Sequence, residues 1–226
     1  EILGLDDPDY FIGFWINRNA KRKRPGDLLE AWAKFIKRLK DEEGHSKAIL
    51  LMHTDPHDGE GPALFGMVDM LGIQENVVFS TDRLEFEKIN ILYNVSDFCI
   101  NVSLAEGFGL GTLESMMTGT PIIASKTGGM TRQVVDHRDG TENGIALPIE
   151  MKSLVGSQGV PYIYEDYVSA DTIADAIFRM YKEGPEGRKK LGQKAKDYAH
   201  YEFDLQDTID AWDKTMKDCL ETFWSD

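Results

Sequence analysis

From residue 10 to residue 147, short apolar runs alternate with stretches whose apolar residues recur every three or four positions. The runs at 10–15, 48–52, 77–80, 98–102, 121–125 and 145–147 are four to six residues of mainly Ile, Leu, Val and Phe, or shorter, and predict buried strands. Between them, Leu28, Ala31, Trp32, Phe35, Ile36 and Leu39 mark one face of a helix that Asp27 could cap. Further helices are predicted at 62–71, 85–96, 111–118 and 131–136.

Strand and helix in strict alternation predict an α/β fold: a Rossmann-like, doubly wound parallel sheet with helices on both faces. Right-handed crossovers leave few ways to wind it. Beyond residue 148 the pattern gives way to a loop-rich stretch, 149–168. Three helices follow, at 170–182 with Ser169 as cap, at 185–200 and at 205–223, where Tyr198, Phe203 and Trp212 read as core. One domain covering 1–226 is expected, with a helical tail over 169–226.

Bulk properties narrow the class. A hydrophobic fraction of 42% with 28% charged residues is ordinary for a soluble globular protein, and no run of about eighteen apolar residues offers a membrane span. The opening Glu1-Ile2-Leu3-Gly4-Leu5-Asp6 has neither a basic nor an apolar leader region, and a cytoplasmic location is expected. Cys99 lies in an apolar run and Cys219 in the last helix, so no disulfide framework is expected. A net charge of −14 argues against nucleic acid as a partner. Against that acidity, Arg18 and Lys21-Arg22-Lys23-Arg24 concentrate positive charge.

Ligands of open parallel sheets bind at the carboxyl ends of the strands. The residues placed there are Asn17-Arg18, His53-Thr54-Asp55, Thr81-Asp82-Arg83, Ser103 with Glu106, and Lys126-Thr127-Gly128-Gly129. Gly107, Gly109 and Gly111 lead into a helix whose first amides and dipole favour an anion. Their spacing does not match G-x-G-x-x-G and the first strand has no such turn, which argues against a hydride-transfer dehydrogenase. His53, His57 and Asp58 are candidate metal ligands, but Pro56 interrupts any helical pairing and no remote third ligand is evident, so no metal is expected.

The segment Glu106-Gly107-Phe108-Gly109-Leu110-Gly111-Thr112-Leu113-Glu114, followed by Gly119-Thr120-Pro121 and Gly128-Gly129, resembles the E-x7-E motif of retaining glycosyltransferases, most closely those of family four with the GT-B fold. Arg18 and Lys23 match that family's Arg-x4-Lys pair. The resemblance runs from the first strand to the last helix and implies the C-terminal, donor-binding half, with the N-terminal acceptor domain having no counterpart. Arg132 departs from the pattern, which has Asp or Glu there in many members.

The resemblance implies these roles. Arg18 and Lys23 neutralise the diphosphate of a nucleotide sugar and its charge as the glycosidic bond breaks; the alternative is a solvated basic face. Glu106 contacts hydroxyls of the donor sugar, and as a loop carboxylate it is not expected to support the fold. Glu114 accepts from the ribose diol; in the first turn of its helix it is equally well explained as a dipole partner. Gly107, Phe108, Gly109 and Leu110 would line the donor, with Ser103, Thr127, Gly128 and Gly129 either joining them or serving as turn residues. Arg22 and Arg24 read as surface, because adjacent side chains cannot all face one ligand. Implied partners are an acceptor glycan or glycolipid, with peripheral membrane contact, and no cofactor beyond the donor. A nucleotide-sugar epimerase of the same architecture and a non-catalytic binding module remain as alternatives.

Overall fold

A computed structural model of the chain describes residues 9–224, so the opening segment read for a leader lies outside the described residues. All six strands form: β1 (Phe11–Ile16), β2 (Ala48–His53), β3 (Val77–Ser80), β4 (Phe98–Asn101), β5 (Ile122–Ser125) and β6 (Ile145–Leu147). They make one parallel sheet in the order β3-β2-β1-β4-β5-β6. Successive residues of each strand feed opposite layers, as the strand period requires. In β2, Ala48, Leu50 and Met52 enter one core and Leu51 the other; in β4, Phe98 and Ile100 enter the first and Cys99 the second. Both faces are therefore covered, which is why these strands read as unbroken apolar runs.

Helix α1 (Pro25–Glu43) lays Leu28, Trp32, Phe35 and Leu39 on the first face beside α2 (Leu64–Leu71) and α6 (Ala170–Lys182). Each such side chain, fully buried, contributes about 1.5–3 kcal/mol. The second face is covered by α3 (Phe86–Val95), α4 (Leu110–Thr118), α5 (Met130–Val134) and α7 (Gly184–Glu202). Ser169 caps α6 by accepting from the Thr172 amide. The α1 cap differs from expectation. The helix begins at Pro25, with Arg24 in a left-handed conformation (φ 52°) at the cap, and Asp27 sits in its first turn. Pro cannot extend the preceding turn but fits a helix's first position.

Two regions correct the sequence reading. Residues 149–168 are not a loop: β7 (Met151–Val155) and β8 (Ile163–Tyr167) pair as an antiparallel hairpin. Helix α8 (Leu205–Trp224) buries no residue, so Trp212 is exposed rather than core, whereas Tyr198 is buried and Phe203 packs against the second core. Leu205, Ile209, Trp212, Met216, Cys219 and Phe223 fall at alternating spacings of four and three along it, a continuous apolar stripe. No helix among the described residues is long and apolar enough to cross a membrane.

Candidate functional site

Strand order reverses between β1 and β4, which pair through Gly13 with Phe98 and Phe14 with Cys99. In a doubly wound sheet the crevice beyond such a switch point is where ligands bind. The chain leaving β1 and the chain leaving β4 meet there. After β1 a short 3-10 turn, Lys21–Lys23, is closed by left-handed Arg24, the one non-glycine residue with positive φ among the described residues. After β4 the loop returns over that turn, and the Leu104 amide donates to the Arg22 carbonyl at 2.8 Å.

This juxtaposition brings Lys23 and Glu106 together. Lys23 is 6% exposed, and its Nζ donates to Glu106 Oε1 at 2.8 Å and Oε2 at 2.7 Å. Burial lowers the Lys23 pKa, and the carboxylate counteracts that shift. Arg22 Nη1 adds a bond to Glu106 Oε2 at 3.0 Å while its side chain stays exposed. Glu106 is thus not a free loop carboxylate: it partners a buried ammonium, which sets the expectation that it does not support the fold against a specific contact.

Four members of the basic stretch, Arg18, Arg22, Lys23 and Arg24, are held in ion pairs rather than forming an open positive patch. Arg18, exposed, donates to Asp58 Oδ2 at 2.5 Å and Oδ1 at 3.2 Å and pairs with Glu60 at 3.1 Å, contacts that raise its pKa. Arg24 is not a surface residue. It is 9% exposed, grips Asp27, donates to the Val168 carbonyl at 2.8 Å and lies 5.1 Å from the Tyr167 ring of β8. The hairpin is thereby fastened beside the turn that carries Lys23.

The glycine loop is shaped by its neighbours. Gly128 has φ 49°, and a Cβ there would sit 1.7 Å from the Glu106 carbonyl oxygen. The Gly129 amide donates to the Glu106 and Gly107 carbonyls at 3.3 and 3.2 Å. Gly128 and Gly129 therefore let the β5–α5 turn support the loop from below. Gly109, at φ 90°, forms the N-cap of α4, where no side chain caps the helix; a Cβ would press on Met130. Gly107 stands open, Leu110 is exposed, and Phe108 lies half-exposed with its ring edge-on to Phe203.

Ser103 is fully buried, with its hydroxyl donating to Asn101 Oδ1 at 2.7 Å, and Thr127 is buried with its hydroxyl 3.4 Å from the Leu104 carbonyl. Both act here as loop-fixing groups. Glu114 is the fifth residue of α4, not in its first turn as read from sequence, which removes the helix-dipole explanation. It is exposed, accepts from the Tyr93 hydroxyl at 2.7 Å, and lines a cavity of about 280 Å³ with Phe86, Ile89, Tyr93, Leu110 and Leu113. A second cavity, about 370 Å³, lies beyond the ends of β1, β2 and β3 and is lined by Asn17, Arg18, Thr54, Asp82 and Arg83.

Among the described residues no group of three or more His, Cys, Asp and Glu gathers as a metal site. His53 bonds Ser80 Oγ at 2.9 Å, and Asp58 belongs to Arg18. Arg132 donates to Glu202, and the Tyr198 hydroxyl donates to the Arg132 carbonyl, so this departure from the motif ties α5 to α7. Sequence reasoning missed Asn19, Tyr93 and Gln133. Asn19 is fully buried and donates to the Pro62 carbonyl at 3.0 Å, and Gln133 donates to the Phe108 carbonyl at 2.7 Å. The chemistry of a buried Asn or Gln was the available signal, since such groups need partners.

Residues 10–156 match the family described as glycosyl transferases group 1. The D-inositol 3-phosphate glycosyltransferase 2 of Catenulispora acidiphila is 31% identical over 145 residues, covering 62% of this chain and 33% of that protein. Among solved structures, Anabaena HepE in complex with UDP-glucose superposes with a TM-score of 0.70 at 20% identity, over 93% of this chain and 49% of HepE. The C-terminal domain of the Francisella tularensis group 1 protein LpcC superposes with a TM-score of 0.63 at 22% identity, over 87% of each chain. The chain thus spans about a third to a half of the longer proteins it matches, and it coincides with the domain that LpcC carries at its C-terminus. It belongs to the group 1 glycosyl transferases and has the fold of their C-terminal domain.

Proposed function

We propose that this chain is the donor-binding half of a retaining glycosyltransferase, taking a nucleotide sugar and passing its sugar to a glycan or glycolipid held by a separate acceptor domain. The observation that carries this reading is the meeting of Lys23 and Glu106 across the β1–β4 switch point, beside the N-terminus of α4, which no side chain caps. In this reading the diphosphate lies between Lys23 and the first amides of α4, where dipole and ammonium oppose its charge. Arg18, at the rim, adds a planar donor suited to phosphate oxygens. The same groups stabilise the charge that builds on the leaving diphosphate, with positioning supplying much of the rest. Glu114 takes the ribose diol and Glu106 the sugar hydroxyls. HepE was solved with UDP-glucose, which makes UDP the natural first probe.

One consequence is specific to the pairing seen here. Without ligand, Glu106 supplies the anion that Lys23 needs; an incoming diphosphate competes for the same ammonium. Glu106→Ala should therefore bind UDP at least as tightly as wild type yet bind UDP-glucose more weakly. Lys23→Met and Arg18→Ala should weaken UDP by about tenfold or more but leave uridine nearly unchanged, since hydrogen bonds to charged groups are worth roughly 1.5–3 kcal/mol. Calorimetric titration of the three ligands decides it. Equal weakening of UDP and uridine by Lys23→Met and Arg18→Ala moves the phosphate elsewhere.

A further inference from the structure

We propose that Tyr93 is a positioning residue for the donor's ribose, its hydroxyl on α3 fixing the Glu114 carboxylate on α4. This inference rests on the donor-site reading above.

Tyr93 is only 2% exposed, and its place is set from three sides. Its ring stands edge-on to Phe14 of the central strand, with centroids 5.1 Å apart at 84°. Its backbone carbonyl accepts from Thr120 Oγ1 at 2.9 Å, tying α3 to the turn after α4. Its hydroxyl lies 2.7 Å from Glu114 Oε2 and 3.3 Å from the Gly111 carbonyl. Burial raises the phenol pKa well above its ordinary value, so the group remains a donor throughout the working range of pH.

Glu114 itself is exposed, with three rotatable bonds and several rotamers open to it on a helix surface. A carboxylate that must meet a vicinal diol gains from being held before the ligand arrives, because less freedom is then lost on binding. The Tyr93 bond occupies Oε2, and Oε1 makes no hydrogen bond among the described residues. A rigid phenol from the core therefore holds one oxygen and leaves the other for the ligand. The competing explanation is that Glu114 merely satisfies a buried hydroxyl. It is the weaker one, because the Gly111 carbonyl is within hydrogen-bond distance of that same hydroxyl.

The test uses UDP and 2′-deoxy-UDP as probes and reads the ratio of their dissociation constants. Wild type should prefer UDP. Tyr93→Phe keeps the ring against Phe14, so the fold is retained, as a melting curve will show. It should cut the preference by roughly two- to tenfold, the effect of having to immobilise one otherwise unrestrained side chain when the ligand binds. Glu114→Gln should abolish most of the preference, and adding Tyr93→Phe to it should change the ratio no further. If Tyr93→Phe weakens both ligands equally, or neither, while Glu114→Gln still lowers the ratio, the positioning role is wrong and the donor site stands. If wild type binds both ligands alike, or Glu114→Gln leaves the ratio unchanged, Glu114 does not meet the ribose and both readings fall.

Discussion

Removing the Glu106 carboxylate should destabilise the chain even though Glu106 lies in a loop. The two Lys23–Glu106 bonds, at 2.8 and 2.7 Å, join side chains only 7% and 14% exposed. Breaking a fully buried pair by deleting one partner costs about 3–5 kcal/mol. This pair opens toward the crevice and Lys23 can shed its proton, so about 2–3 kcal/mol is expected for Glu106→Ala. Lys23→Met should cost less, because Glu106 keeps Arg22. At roughly 2–4 °C per kcal/mol for a chain of this size, Glu106→Ala should melt about 4–12 °C lower. The pH dependence has a definite sign. Burial holds the folded-state pKa of Lys23 below its unfolded value of 10.5. The unfolded state therefore binds more protons between those two values, and stability rises as pH climbs through that window. Without its carboxylate the folded pKa falls further, so the gap between Glu106→Ala and wild type should narrow toward pH 10.5. Thermal melts of both single variants and the Lys23→Met/Glu106→Ala double variant give the coupling directly. A Glu106→Ala melting point within a degree of wild type, or single-variant losses that simply add in the double variant, would mean that the pair does not support the fold.

Two further expectations follow from groups away from the crevice. The Arg138 guanidinium holds the Asp136 carboxyl down to about 2, so the stability it contributes is present above 3.8 and lost as pH falls from there through about 2. Asp136→Asn should lower the melting temperature at pH 6, and its deficit should shrink across that acid window; a deficit constant from pH 6 to pH 2 would assign it to packing. Helix α8 buries nothing, so a chain ending at residue 204 should melt within about 2 °C of the whole chain; a larger fall would show that α8 packs on the domain.

What the sequence disclosed and what it hid follow from the range of the interactions involved. Each of the six sheet strands is read to within a residue at either end, because a strand buried on both faces must be apolar throughout. The hairpin was missed because Met151, Leu154, Tyr162 and Tyr164 are exposed and leave no period-two alternation, while Gly156 and Pro161 mimic a loop. Trp212 reads as core from sequence although it is exposed, because an amphipathic stripe states that one face is suited to burial, not that its partner lies in the same stretch of chain. The candidate site divides along the same line. Glycine spacing and strand ends placed Glu106, Gly109 and Gly128 in one neighbourhood, since those are local signals. The Lys23–Glu106 bond joins residues 83 positions apart, and nothing in either segment announces it. It exists because strand order reverses between β1 and β4, which sets the loop after one strand against the turn after the other. Tyr93 was hidden for the opposite reason: its ring period is that of any core aromatic, and only the position of its hydroxyl, 2.7 Å from a surface carboxylate on the next helix, separates positioning from packing.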